Sequence, residues 1–260
     1  MHAIRLIFLL TLLLTAAAWP AAAQNQPGGT QQPPPIAPAK PYKPVAVTAP
    51  APFDDPGFAA MRKQLAAAAQ KKDRAALAKL VVGHGFFWEN DSGSAADTKK
   101  SGIDILSTAL GLAAKDGAGW NILAGFADEP TASPSAAPEH KGVICAPADP
   151  AFDGVAFEAL LDETQTDPSE WGVPVSAAIE VHSGPEANAP VTGKLGAVLV
   201  RVMPETGGQS SSYLRVVTPD GKTGFVSIDS IAPIGSDQLC YAKDGAAWKI
   251  AGYIGGSDGQ

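Results

Sequence analysis

Between Ser176 and Pro233 helical periodicity stops, and the chain breaks into short runs bounded by glycine, proline, serine or aspartate. The runs are AAIEVHS, GAVLVRVMP, SYLRVVTP and TGFVSI. None is long enough for an ordinary helix, and their β-branched and aromatic content suits a pleated surface. This stretch therefore predicts a small all-β unit made of hairpins. Pro219-Asp220-Gly221 separates the last two runs and supplies residues that a tight turn uses. Side chains alternate between faces along a strand, so Leu214 and Val216 share one face while Tyr213 and Arg215 share the other. Val181, Leu195, Val200, Val216 and Val226 are the expected core filling. Gly184 and Gly224 are expected where the backbone takes angles that other residues resist.

Upstream the pattern is mixed. Asp55-Pro56 is a helix cap followed by a first-turn proline, and Phe58, Met61 and Leu65 then recur at helical spacing. Asp73 caps a second expected helix carrying Leu77, Leu80 and Val81. Ser101 and Asp104 have capping-box spacing ahead of Ile103, Leu106 and Leu110. Asp153 caps a fourth helix presenting Phe157, Leu160 and Leu161. Between these, HGFFWEND reads as a short aromatic strand or turn, GWNILAGFA (119–127) as a buried strand and GVICAP as a return to the core. DQLCYAK and AWKIAGYI add two strands near the C-terminus. The expected class is α+β: a mixed α/β module over 53–173, then a small all-β unit over 174–256 that includes these last strands as an extension.

The N-terminal residues predict export. Met1 to Arg5 is a short positive start, Leu6 to Ala18 is apolar, and Ala21-Ala22-Ala23 offers the small residues that a signal peptidase needs. The expected leader is 1–23, with cleavage after Ala23 and a periplasmic mature chain. The apolar run is short for a membrane span, and no other run approaches that length, so no span is expected after cleavage. Residues 24–52 are crowded with proline and read as a disordered linker. Their P-x-x-P spacings, Pro35 to Pro38 and Pro41 to Pro44, suit either a spacer or a ligand for a partner or for the chain's own β-unit.

The chain carries 19 basic and 26 acidic residues, a formal net charge of −7. Phosphate backbones demand a basic face, so nucleic acid is not an expected partner. Anionic membrane surfaces are disfavoured on the same ground. The two cysteines, Cys145 and Cys240, are the one available pair. In an oxidising compartment they predict a disulfide whose long loop contributes about 4 kcal/mol by chain entropy.

The β-rich half resembles the bacterial SH3-like domain family. The matching residues are Val181-His182-Ser183-Gly184-Pro185, then Pro190-Val191-Thr192-Gly193-Lys194-Leu195-Gly196, then Tyr213-Leu214-Arg215-Val216, and finally Gly221-Lys222-Thr223-Gly224-Phe225-Val226. The resemblance covers about Ser176 to Pro233 and implies a small SH3-like barrel. His182 stands where the family often has arginine, and Tyr213 and Phe225 where tryptophans are common. Family members often act as non-catalytic targeting modules, some binding cell-wall peptides. The resemblance thus implies a peptide groove lined by His182, Tyr213, Arg215 and Phe225. The first half is similar to exported proteobacterial proteins that carry such a barrel at the C-terminus, which implies no activity.

Chemistry is sparse. There is no G-x-S-x-G, no P-loop, no dinucleotide fingerprint, no H-E-x-x-H and no C-x-x-C. No cofactor, metal site or catalytic residue is expected. His84 and His140 are candidate bases and Cys145 a candidate nucleophile for a cell-wall hydrolase, the alternative function. Trp88, Trp120, Trp171 and Trp248 are expected in the core rather than in a ligand stack. The leading expectation is a non-enzymatic exported binding or scaffold protein. Its expected partner is cell-envelope peptide, peptidoglycan or a periplasmic protein. A structural or stress-related envelope protein is a third possibility.

Overall fold

A computed structural model describes residues 38–90, 92–204 and 212–255. The expected leader and the first part of the proline-rich tract lie outside the described residues. The chain begins with β1 (Val47–Thr48), α1 (Pro56–Gln70), α2 (Arg74–Ala78), β2 (Phe87–Asn90), β3 (Gly93–Ser94), α3 (Gly102–Ala109) and α4 (Ala118–Asp128). It continues through β4 (Ser133–Pro134), β5 (Ile144–Ala146), β6 (Ala151–Phe152) and α5 (Gly154–Thr164). The rest is β7 (Trp171–Pro174), β8 (Ile179–His182), β9 (Val191–Leu195), β10 (Val200–Val202), β11 (Tyr213–Val217), β12 (Thr223–Ser227), β13 (Ile231–Pro233), β14 (Gln238–Asp244) and β15 (Ala247–Ile254). The class is α+β.

Helices α1, α2 and α5 start where an aspartate satisfies free N–H groups, whereas the capping box expected before α3 does not form, because the Ser101 hydroxyl donates to the Asp104 carboxylate and caps no N–H. The Asp55 carboxylate accepts from the Phe58 N–H at 2.9 Å, Asp73 from Ala75 and Ala76, and Asp153 from Ala156. Residues 119–127 are the exception to the expected pattern, because they lie within helix α4 rather than in a strand. Trp120, Leu123, Phe126 and Ala127 are buried while Asn121, Ile122 and Gly125 are exposed, a helical stripe that its short length made look like a continuous apolar run. Gly119 lets α4 pass close to the end of α3, since a Cβ there would lie 2.1 Å from the Leu110 carbonyl oxygen.

Two larger sheets organise the described residues, beside a two-stranded antiparallel pair of β1 and β6. The first is mixed, in the order β3-β2-β15-β14-β5-β4, with β15 and β2 parallel. One face of it packs on α1, α3 and α4 through Leu239, Tyr241, Ile250 and Tyr253. On the other face, the cross-strand register aligns Cys145, Cys240, Gly252 and Phe87 in one row. Cys145 and Cys240 are direct partners and form a disulfide with Cα atoms 4.0 Å apart. The C-terminal strands β14 and β15 therefore complete the sheet of the first half, although they were expected to extend the β-unit. The disulfide staples that one sheet.

The second sheet is antiparallel throughout, in the order β13-β7-β10-β11-β12-β8-β9. Val181, Leu195, Val200, Val216 and Val226 all lie in one buried cluster with Ile179 and Ile231. Ile231 belongs to one edge strand and Leu195 to the other, so the sheet curls around this core. It stays open, because β13 and β9 do not pair among the described residues. The Pro219-Asp220-Gly221 turn joins β11 to β12, with Gly221 at a φ of +81°. Gly224 departs from its expected role: its backbone is ordinary, but a Cβ would meet Val181 Cγ1 at 2.3 Å. Gly184 also lacks a positive φ.

Residues 38–48 depart from the expected linker. Tyr42, Val45 and Val47 are buried with Trp171, Leu199, Val217 and the apolar stripe of α5. The tract offers few donors but uses those it has: Tyr42 N–H donates to the Pro219 carbonyl and Val47 N–H to that of Ala197. It also accepts, from Leu199 N–H at the Val45 carbonyl and from Arg201 at that of Pro38. Proline content signalled missing donors correctly. The apolar side chains set between the prolines supply the burial that holds the segment.

Candidate functional site

Among the described residues, residues 38–48 and α5 cover one end of the outward face of the curled sheet. Val217 and Arg201 are cross-strand partners and lie beneath residues 38–48 and α5. Two residues back along β11, on the same face, Arg215 is exposed. Arg215 pairs with Phe225, and Phe225 pairs with His182, so the three side chains form a row across β11, β12 and β8. Tyr213 lies on the same face of β11, and its ring meets that of His182 edge-on with centroids 6.1 Å apart. All four residues singled out from the sequence are thus brought onto one surface. His182, Tyr213 and Phe225 are half-buried.

The hydrogen bonding at His182 orients its ring. Nδ1 lies 2.9 Å from the Ala189 carbonyl oxygen. A carbonyl only accepts, so Nδ1 carries the hydrogen and Nε2 is the acceptor nitrogen. A cleft lined by Ala39, Val181, Pro219 and the hydroxyls of Ser183, Thr192, Thr218 and Thr223 opens between the β8–β9 and β11–β12 hairpins, and none of the four residues of the row lines it. Lys222 pairs with Asp220 at 2.7 Å. This pairing, with the Thr218 hydroxyl, holds the Asp220 carboxyl down at about 2. The surface combines aromatic edges, one guanidinium and a hydroxyl-lined cleft. Such a set suits an extended chain.

The residues considered for hydrolysis are arranged otherwise. Cys145 is in the disulfide and has no thiol to attack with. His84 is exposed. The His140 ring stacks on Phe87 with centroids 3.8 Å apart and planes 13° apart, and its Nε2 lies 2.7 Å from Glu89 Oε1. Glu139 joins them, and one ligating atom from each of the three lies within 4.8 Å of the others. No metal site was expected from the sequence. Glu139 and His140 are adjacent in a 3-10 turn, but Glu89 is some fifty residues away on β2, so no local motif announces the set. Trp120, Trp171 and Trp248 are buried and Trp88 half-buried, as expected for core residues. No helix of the described residues is long and apolar enough to cross a membrane. No family model, curated protein or solved structure matches this chain.

Proposed function

We propose that this chain is an exported, non-enzymatic binding protein whose curled sheet recognises an extended cell-envelope peptide or the peptide part of peptidoglycan. The observation that carries this reading is the cross-strand row of His182, Phe225 and an exposed Arg215, with Tyr213 beside it on the same face. Aromatic side chains bind extended chains at low entropic cost, and a guanidinium pairs with carboxylates in a fork geometry. Two further points support it. The same face already holds an extended proline-rich segment of its own chain at residues 38–48. The sequence of this half also resembles SH3-like targeting modules, and a curled antiparallel sheet is compatible with that fold. Export to the periplasm fits the leader-like N-terminus and the disulfide.

The test is co-sedimentation of the oxidised chain with purified sacculi, with the supernatant analysed for released fragments. Binding without release is expected. Arg215→Ala and Phe225→Ala should each weaken it about tenfold, the loss of about 1.4 kcal/mol. Released fragments would show an enzyme instead, and binding that ignores both substitutions would move the site elsewhere.

A further inference from the structure

We propose that Glu89, Glu139 and His140 form a binding site for one divalent ion of the zinc class. The donor set is an imidazole nitrogen with two carboxylates, which suits borderline cations better than calcium or magnesium. Three protein ligands leave a coordination position for water.

The site is held in place from beneath. Phe87 and Glu89 are two apart on β2 and therefore share a face, and the Phe87 ring is the shelf on which His140 lies. Phe87 lies against Gly252, where a Cβ would sit 2.2 Å from the ring. The Gly255 N–H donates to the Glu89 carbonyl, tying down the backbone at the first carboxylate. The segment 135–143 leaves β4 and β5 at one edge of the sheet and brings His140 across to β2, beyond β14 and β15. The His140 side chain is only 12% exposed, whereas Glu139 is exposed and turns inward at little cost.

The geometry requires a small adjustment. Ligand atoms around a tetrahedral zinc ion sit roughly 3.3 Å apart, from metal–ligand distances of about 2.0–2.1 Å. Glu89 Oε1 and His140 Nε2 are 2.7 Å apart and need to separate by roughly half an ångström. Without metal, Nε2 donates its hydrogen to the carboxylate. With metal, the neutral ring carries its hydrogen on Nδ1 and the Nε2 lone pair binds the ion.

The experiment is calorimetric titration of zinc into the oxidised chain, with magnesium as the control and thermal unfolding as a second readout. One zinc per chain and a raised unfolding temperature are expected. His140→Ala should abolish binding, and Glu139→Gln, at an exposed position, should weaken it at least about tenfold without altering the fold. No binding at millimolar zinc would overturn the proposal, as would an affinity unchanged in the Glu139→Gln protein.

Discussion

Tyr42 stands edge-on to Trp171, with ring centroids 5.0 Å apart, and its hydroxyl donates to the carbonyl oxygens of Val217 at 3.1 Å and Leu199 at 3.3 Å. A residue from a proline-rich tract is thus a structural part of a sheet formed more than a hundred residues later. Burial pushes its phenol well above the ordinary tyrosine value. Tyr42→Phe should cost about 1 kcal/mol through the lost hydroxyl bonds, and Tyr42→Ala about 3 kcal/mol or more through the cavity. Urea unfolding measures both. If Tyr42→Ala matched wild type, residues 38–48 would not hold this sheet.

Arg201 is 2% exposed and is held by Glu170 at 2.8 Å and by the Pro38 carbonyl at 3.0 Å. Glu170→Gln removes the carboxylate charge that the structure sets against this buried guanidinium. Glu170→Gln should therefore cost about 3 kcal/mol, and adding Arg201→Met should recover part of that loss. A Glu170→Gln variant as stable as wild type, or a double variant less stable than Glu170→Gln alone, would contradict this reading.

Asp55 caps α1 and reaches across to the last strand. Its carboxylate accepts from the Phe58 N–H and the Trp248 indole at 3.1 Å, and Lys243 lies 3.4 Å away. The Phe58 N–H first, then the Trp248 indole, hold its carboxyl below the ordinary 3.8, against a smaller desolvation penalty. The folded state thus releases this proton more readily than the unfolded state. Its stabilisation is fully present above pH 3.8 and is lost as pH falls through the lower folded value. The stability gap between wild type and Asp55→Ala should narrow as pH drops below that point. A gap independent of pH would mean that the charge on Asp55 contributes nothing.

Cys145 and Cys240 close a loop across 95 positions. Peptide mapping without reductant should recover them joined, and Cys145→Ser with Cys240→Ser should cost about 2–5 kcal/mol. An alkylatable Cys145 in protein taken from an oxidising compartment would contradict the pairing and revive a thiol mechanism.

Much of the local structure was legible in the residues. Asp55, Asp73 and Asp153 cap helices because a short carboxylate reaches an N–H two or three residues ahead, whatever the rest of the chain does. The Asp220-Gly221 turn is local in the same way. Strand alternation is local too, which is why Val181, Val216 and Val226 were identified as core and Tyr213 and Arg215 as face partners. The one possible cysteine pairing followed from their number.

Only the tertiary structure decided which strands meet. β14 and β15 join β2 and β5 instead of the curled sheet, and hydrogen-bond donors and acceptors on a strand edge carry no label for their partner. Residues 119–127 form a helix because α1, α3 and the six-stranded sheet offer a surface to a helical stripe, which outweighs the strand-like look of a short apolar run. Residues 38–48 are held because Trp171, Val217 and α5 leave an apolar face that Tyr42, Val45 and Val47 cover. Glu89 meets His140 because Phe87 and Gly252 place a flat ring beneath it. The sequence by itself settled interactions within a few residues, where chain connectivity fixes the distance. Contacts across fifty to two hundred residues depend on which buried surfaces assemble together, and that was settled only in the folded chain.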